Sequence, residues 1–355
     1  MGWNPFEPDV YYFKPSRAYE WVLFMGKYGG IALAVAGAAL YKYQTKLIYP
    51  ANFPEGSRTD VWAPPKFGMQ KYEEETLTAP DGVKLHAYTI LQGADSGREE
   101  ELAPKSPTVL MLHANAGNMG HRLPIAKVFN RDLKANVVMI SYRGYGKSEG
   151  KPTEKGIRQD AQTALDYLLS HRLLEKTTVI LYGQSIGGAI AVDLASRNQD
   201  RVHAVILENT FVSMHRLVPH VLPIVVPFLP LMTEYWDSGS AIMKFDKDFP
   251  CLFLSGSMDE LVPPSEMQYL HTICPSEVKE FVEFPDGTHN DTCLQKNYFE
   301  HLALWLRRNV LKDEAGKYLQ EKVKKLDEDT LAEDLQEMGA EAGSRAPQDL
   351  PKLEH

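Results

Sequence analysis

An α/β fold on an eight-stranded, mostly parallel sheet is predicted by three observations. Short β-branched or apolar runs recur at 72–77, 83–91, 107–112, 136–142, 177–182, 202–207, 251–255 and 279–284, and segments of helical character separate the later ones. A glycine-rich corner, Gly183-Gln184-Ser185-Ile186-Gly187-Gly188, stands between the fifth run and an alanine-rich helical stretch. An acid and then a histidine follow two later runs, so serine, acid and histidine occur in that order. This is the order of α/β-hydrolases, and it differs from the orders of the chymotrypsin and subtilisin folds.

Residues 1–20 form an N-terminal segment ahead of an apolar stretch at 21–41 that only Lys27 interrupts. A helix of that length crosses a bilayer core of about 30 Å. It reads as a single-pass transmembrane anchor rather than a removable signal peptide. It begins late, has no basic leader directly at the start, and runs into Tyr41-Lys42-Tyr43-Gln44 instead of a small-residue cleavage site. Lys14 and Arg17 on one side and Lys42 and Lys46 on the other leave no basic asymmetry to orient it. The catalytic domain is expected over 44–312, and 21–41 is expected to add only localisation.

The runs 72–77 and 83–91, joined by Ala79-Pro80-Asp81-Gly82, read as an antiparallel starting hairpin, and the polar stretch 92–106 as a surface loop. Run 107–112 leads into His113-Ala114-Asn115-Ala116-Gly117-Asn118, whose small residues let the backbone approach a substrate. Acyl transfer needs donors for the oxyanion of its tetrahedral intermediate. The two expected are the backbone N–H of Ile186, the residue after the serine, and that of Asn115. His113 reads as a structural histidine that ties the loop down, since one base suffices. Arg143 to Gly150, after the fourth run, is glycine-rich but lacks a Walker lysine or a dinucleotide spacing, so it is read as a structural turn.

The corner at Ser185 reads as a nucleophile elbow. Its serine projects from a sharp strand-to-helix turn, and a side chain at either flanking position would strike the neighbouring strand or helix, which accounts for Gly183 and Gly187. A serine hydroxyl is scarcely ionised at neutral pH and needs a base to take its proton as it attacks. His289, in Pro285-Asp286-Gly287-Thr288-His289-Asn290-Asp291, is the expected base. Asp259, in the loop after run 251–255, is the expected acid that holds the imidazole's tautomer and orientation. Glu260 and Glu208 are rival acids; Asp259 is preferred because its shorter side chain restricts the histidine more tightly.

The insertion at about 210–245 reads as a short cap. Its stretch 217–232 is apolar almost throughout but too broken by proline for a long helix. Two readings stay open: it packs on the body of the domain, or it lines an acyl pocket or touches a bilayer. The charged tail, 313–355, is expected to be partly helical or disordered.

Several motifs together resemble the BEM (bud-emergence) family of membrane-anchored α/β-hydrolases: Gly-Gln-Ser-Ile-Gly-Gly at 183–188, Ser-Tyr-Arg-Gly-Tyr-Gly-Lys-Ser-Glu-Gly at 141–150, the His113 loop, Ser255-Gly256-Ser257-Met258-Asp259, and Gly287-Thr288-His289-Asn290-Asp291. The similarity runs from the apolar N-terminal segment to about Leu311. The chain looks most like the fungal members and resembles the animal alpha/beta-hydrolase domain-containing protein 13 more distantly. The family's loop usually reads His-Gly-Asn-Ala-Gly-Asn. Ala114 replaces its first glycine here, so an unusual backbone angle at that position would carry a cost.

A net charge of -9 argues against a phosphate-binding surface, so no nucleic acid partner is expected. Cys251, Cys274 and Cys293 are widely spaced and fit neither a metal-ligand pattern nor a disulfide framework. A serine acyl-enzyme requires no metal and no organic cofactor. The expected activity is that of an esterase, lipase or protein depalmitoylase on an acylated small molecule, lipid or lipidated protein, by a monomer. The rival readings are a non-catalytic scaffold for membrane or cell-polarity interactions and a serine peptidase. The sequon Asn290-Asp291-Thr292 beside the proposed base argues for a domain facing the cytosol, at an internal membrane such as the endoplasmic reticulum, unless folding hides the asparagine.

Overall fold

The computed structural model describes residues 17–311. Its strands are β1 (Glu73–Thr78), β2 (Lys84–Ile90), β3 (Thr108–Leu112), β4 (Asn136–Ile140), β5 (Val179–Gln184), β6 (Ala204–Glu208), β7 (Cys251–Gly256) and β8 (Lys279–Phe284). Its helices are α1 (Arg17–Ile48), α2 (Glu99–Leu102), α3 (Leu123–Lys127), α4 (Glu154–Ser170), α5 (Ile186–Ser196), α6 (Met214–Val221), α7 (Ser238–Ile242), α8 (Pro264–Ile273) and α9 (Tyr298–Asn309). The strands form one sheet in the order β1-β2-β4-β3-β5-β6-β7-β8. β2 pairs antiparallel with both β1 and β4, and every other pair is parallel. This is the α/β-hydrolase fold, with each predicted run present as a strand.

Strands β3 to β7 are buried along their whole length, which is why they read as continuous apolar runs rather than alternating ones. Apolar cores cover both faces of the sheet, one including Leu165 of α4, Ile190 of α5 and Leu270 of α8, the other Phe129, Leu302 and Trp305. From β3 the chain steps to β4 on one side and then to β5 on the other. The crevice beyond the C-terminal ends of β3 and β5 is therefore the topological switch point, where an open α/β sheet gathers its site.

The loop after β4 is a structural turn. Gly144, Gly146 and Gly150 all have positive φ, and Arg143 is buried beneath them. Its guanidinium reaches Asp160 Oδ1 at 2.8 Å from Nη2 and Asp81 Oδ2 at 2.6 Å from Nη1. One cation thus joins the β1–β2 turn to α4.

The expected span 21–41 lies within a longer helix. α1 runs unbroken from Arg17 to Ile48, so a boundary between 41 and 44 falls inside a helix. Its N-terminal half projects apolar side chains such as Trp21, Leu23 and Phe24 outward, and the helix over Glu20–Ile48 is long and apolar enough to cross a membrane. Its C-terminal half packs on the cap. A Cβ on Gly37 would meet Leu231 at 3.2 Å and Phe228 at 3.3 Å, so this glycine permits the close approach. The tail at 313–355 and most of the segment at 1–20 lie outside the described residues.

Replacing Arg143 by alanine strands the fully buried Asp160 carboxylate. We expect a loss of about 3–5 kcal/mol, the usual consequence of breaking a buried pair, read as a lowered denaturant midpoint of the detergent-solubilised protein.

Candidate active site

The elbow forms as its glycines require. Ser185 sits at φ 55°, ψ -122° between β5 and α5. A Cβ on Gly183 would lie 2.2 Å from the Gly187 carbonyl oxygen, and one on Gly187 would lie 2.1 Å from that of Leu112. Neither position accepts a side chain. Gly188 is excluded too, since its Cβ would meet Thr210 at 2.6 Å. Thr210 Oγ1 donates to the Ser185 carbonyl at 2.7 Å, and the Ser185 N–H donates to the Glu208 carbonyl at 2.9 Å.

Asp259 and His289 meet. His289 Nδ1 lies 2.8 Å from Asp259 Oδ2, and both side chains are buried. The N–H groups of Leu261 and Val262 donate to Asp259 Oδ1 at 2.9 and 2.8 Å, which fixes the carboxylate. With Nδ1 donating to Asp259, Nε2 is the nitrogen left unprotonated. The rival acids are engaged elsewhere. Glu260 Oε2 accepts from the His289 backbone N–H at 3.3 Å. Glu208 accepts from the hydroxyls of Tyr182 and Tyr298 and from Gln184 Nε2, and burial pushes its carboxyl up from the usual range.

The expected oxyanion donors leave neighbouring strands at one level. Leu112 of β3 pairs with Gly183 of β5, and Asn115 and Ile186 each stand three residues further on. Ile186 opens α5, so its N–H has no acceptor within the helix. Asn115 is held by its side chain: Nδ2 donates to the Ile48 carbonyl, and Oδ1 accepts from Tyr145 OH at 2.7 Å. Ala114 lies outside the left-handed region, so the expected cost of replacing glycine there does not arise.

His113 is a structural group. Nδ1 donates to the Ala114 carbonyl at 2.7 Å, Nε2 accepts from the Tyr142 N–H at 3.4 Å, and the ring stacks on Tyr142 at 4.0 Å between centroids. Burial pushes its pKa down to about 3.

Sequence reasoning missed Asn209. At φ 45° its Oδ1 accepts from the Gly256 N–H at 2.9 Å, and its Nδ2 donates to the Thr288 carbonyl at 3.1 Å and the His289 carbonyl at 3.3 Å. One side chain thereby ties the acid's strand to the histidine's loop. Gln184 Nε2 adds a bond to the same His289 carbonyl at 3.3 Å and so joins that loop to the elbow. An asparagine directly after a strand that ends in a buried glutamate was the only signal.

A cavity of about 240 Å³ has Asn115 in its wall. Its walls are almost wholly apolar and come from the cap, including Val218 and Phe228, and from α1, including Leu40, Leu47 and Ile48. Leu40 and Tyr41, inside the stretch expected to add only localisation, line the cavity. The helix reaches it because Gly37 lets the cap pack close.

Fold and elbow define an α/β-hydrolase, and the family profile described as alpha/beta hydrolase fold matches residues 107–240. Within that class the chain belongs to the BEM family. It is 49% identical over 295 residues to Protein bem46 of Schizosaccharomyces pombe, covering 82% of this chain and 96% of that one. It is 40% identical to the uncharacterized membrane protein YNL320W of Saccharomyces cerevisiae, over 78% of this chain and 93% of the other. Identity to the alpha/beta hydrolase domain-containing protein WAV2 of Arabidopsis thaliana is 38%, over 78% and 90%. Among solved structures, an alpha-beta hydrolase from Vibrio vulnificus aligns with a TM-score of 0.59 at 20% identity, over 74% of this chain and 92% of that one. The Pyrococcus furiosus esterase Pf2001 aligns at 0.56 and 18%, over 70% and 94%, and these two likenesses bear on the fold alone.

His113 makes stability depend on pH. Its folded pKa lies below the unfolded value near 6.5, so its stabilisation is fully present above that pH and is lost as pH falls towards about 3. The slope approaches about 1.4 kcal/mol per pH unit in that window. His113→Gln, which takes up no proton, should be less stable at neutral pH yet show a shallower acid decline, measured as melting temperature against pH.

Proposed function

We propose that the chain is a membrane-anchored serine hydrolase that cleaves acyl esters or thioesters through an acyl-enzyme. Ser185 is the nucleophile, His289 the general base and acid, and Asp259 the carboxylate that orients it. The observation that carries this reading is the Asp259–His289 contact at 2.8 Å, tied through Gln184 and Asn209 to an elbow whose serine stands at φ 55°. Ser185 Oγ attacks the carbonyl carbon as His289 Nε2 takes its proton, and the N–H groups of Ile186 and Asn115 receive the oxyanion. Collapse of the intermediate expels the alcohol or thiol, which leaves with the proton from His289. A water deprotonated by the same nitrogen then attacks the acyl-enzyme, releases the carboxylic acid and restores Ser185.

An acyl substrate is favoured over a soluble metabolite by the apolar cavity beside Asn115 and by the helix that lines it. The proposed location is an internal membrane, the endoplasmic reticulum, crossed once, with the hydrolase domain facing the cytosol. Asn290 is exposed, so folding does not hide the asparagine, and a glycan there would crowd the base. Three free, buried cysteines favour the same face.

Ser185→Ala should abolish labelling by a fluorophosphonate probe and lower turnover of a p-nitrophenyl ester by at least about 10⁴-fold. Asp259→Asn should cost about 10³ to 10⁴-fold by presenting the wrong tautomer, whereas Glu260→Gln should cost little. Undiminished labelling of the serine variant would overturn the assignment. On intact microsomes, protease should digest the catalytic domain without detergent; a domain that resists until detergent is added is lumenal and refutes the proposed orientation.

A further inference from the structure

The cavity beside Asn115 is half made by the membrane helix. Leu40, Leu47 and Ile48 of α1 face Val218 and Phe228 of the cap across it. Polar bonds lock the two walls together where the helix ends. Gln44 Oε1 accepts from the Thr233 N–H at 2.7 Å, and Tyr49 OH donates to Glu234 Oε2 at 2.5 Å while accepting from Trp236 Nε1 at 2.9 Å.

Position along the helix decides where the cap lies. Phe228 and Leu231 touch α1 at Gly37, one helical turn before Tyr41, so the cap overlaps the apolar span by about 5–6 Å. Its outer residues suit hydrocarbon. Ile224 is 80% exposed and Val221 52%, next to a helix whose Leu33 and Val35 are 60% and 64% exposed. These exposed apolar side chains, on the cap and on the helix it packs against, are ones that water alone would leave uncovered. Lys42, Tyr43 and Lys46 follow at the helix exit, residue types that settle at headgroup level, with both lysine ammoniums within 6 Å of the Tyr43 ring.

We propose that the cap tip around Ile224 is immersed in the bilayer with α1, and that the cavity between them takes one acyl chain of a membrane lipid ester directly from the leaflet. The carbonyl then arrives at the Asn115 end, since Asn115 is the expected oxyanion donor that lines the cavity. This rests on the serine-hydrolase reading and adds to it the substrate class and its route: a bilayer lipid that never crosses water.

The test uses the full chain in phosphatidylcholine–phosphatidylserine vesicles carrying a long-chain diacylglycerol or, in parallel, an S-palmitoylated peptide. Ile224→Glu puts a charge on the immersed tip without touching the cavity lining. It should cut diacylglycerol hydrolysis at least about tenfold while leaving p-nitrophenyl acetate turnover and fluorophosphonate labelling unchanged. Leu47→Trp, which fills the cavity, should lower the decanoate-to-acetate ratio of p-nitrophenyl ester turnover about tenfold. Because the native cysteines are all buried, a fluorophore on Ile224→Cys reports the tip alone. It should be quenched by doxyl-labelled lipid and not by aqueous iodide. Iodide quenching, wild-type diacylglycerol turnover by Ile224→Glu, or cleavage of the peptide but not of diacylglycerol would each overturn the proposal. A wild-type chain that takes no fluorophosphonate overturns the hydrolase reading beneath it.

Discussion

Ser185 is held in a backbone conformation that an L-residue with a side chain adopts at a cost of about 1–3 kcal/mol. It persists because three surfaces meet there with no room for a Cβ on either flanking glycine. The first turn of α5 rides against Gly183, and the end of β3 rides against Gly187. That approach sets the spacing of β3, β5 and α5, and with it the level at which Asn115 and Ile186 leave their strands. The position of the serine and of both expected oxyanion donors therefore follows from one steric condition.

The other half of the site depends on buried polar groups that are bonded to one another. Asn209 ties Gly256 to the histidine loop, and the Gly256 backbone approaches Gly287 so closely that a Cβ on Gly256 would lie 2.4 Å from the Gly287 carbonyl oxygen. Glu208 lies beneath, accepting two tyrosine hydroxyls and the Gln184 amide. Each donor bonded to Glu208 would be costly to leave unpaired in the interior, so the group resists rearrangement as a unit. His289 is thereby positioned through its main chain as well as through Asp259.

Helix α1 enters this arrangement instead of standing apart from it. Asn115 Nδ2 bonds its last carbonyl, so the loop expected to receive the oxyanion is fastened to that helix. Tyr49 and Gln44 fasten the same helix to the cap. A tilt of α1 would move one wall of the cavity and one support of the Asn115 loop together.

The sequence by itself determined the sheet, because parallel strands buried on both faces leave continuous apolar runs that need no partner to be recognised. It also determined the elbow, since glycine at 183 and 187 answers a local steric demand, and it set the order of Ser185, Asp259 and His289. Only the tertiary structure showed which of Asp259, Glu260 and Glu208 has its carboxylate on the His289 ring, for the three differ in which groups the fold brings to them, not in chemistry. It also decided the hub role of Asn209, whose partners lie 47 to 83 positions away along the chain. The end of α1 was illegible for the same reason. Hydropathy marks where a helix turns polar, near Tyr41, whereas Gln44 and Tyr49 stay on the cap through hydrogen bonds to residues more than 180 positions distant. Local pattern records propensity and period; long-range contacts between polar groups leave no periodic trace for it to record.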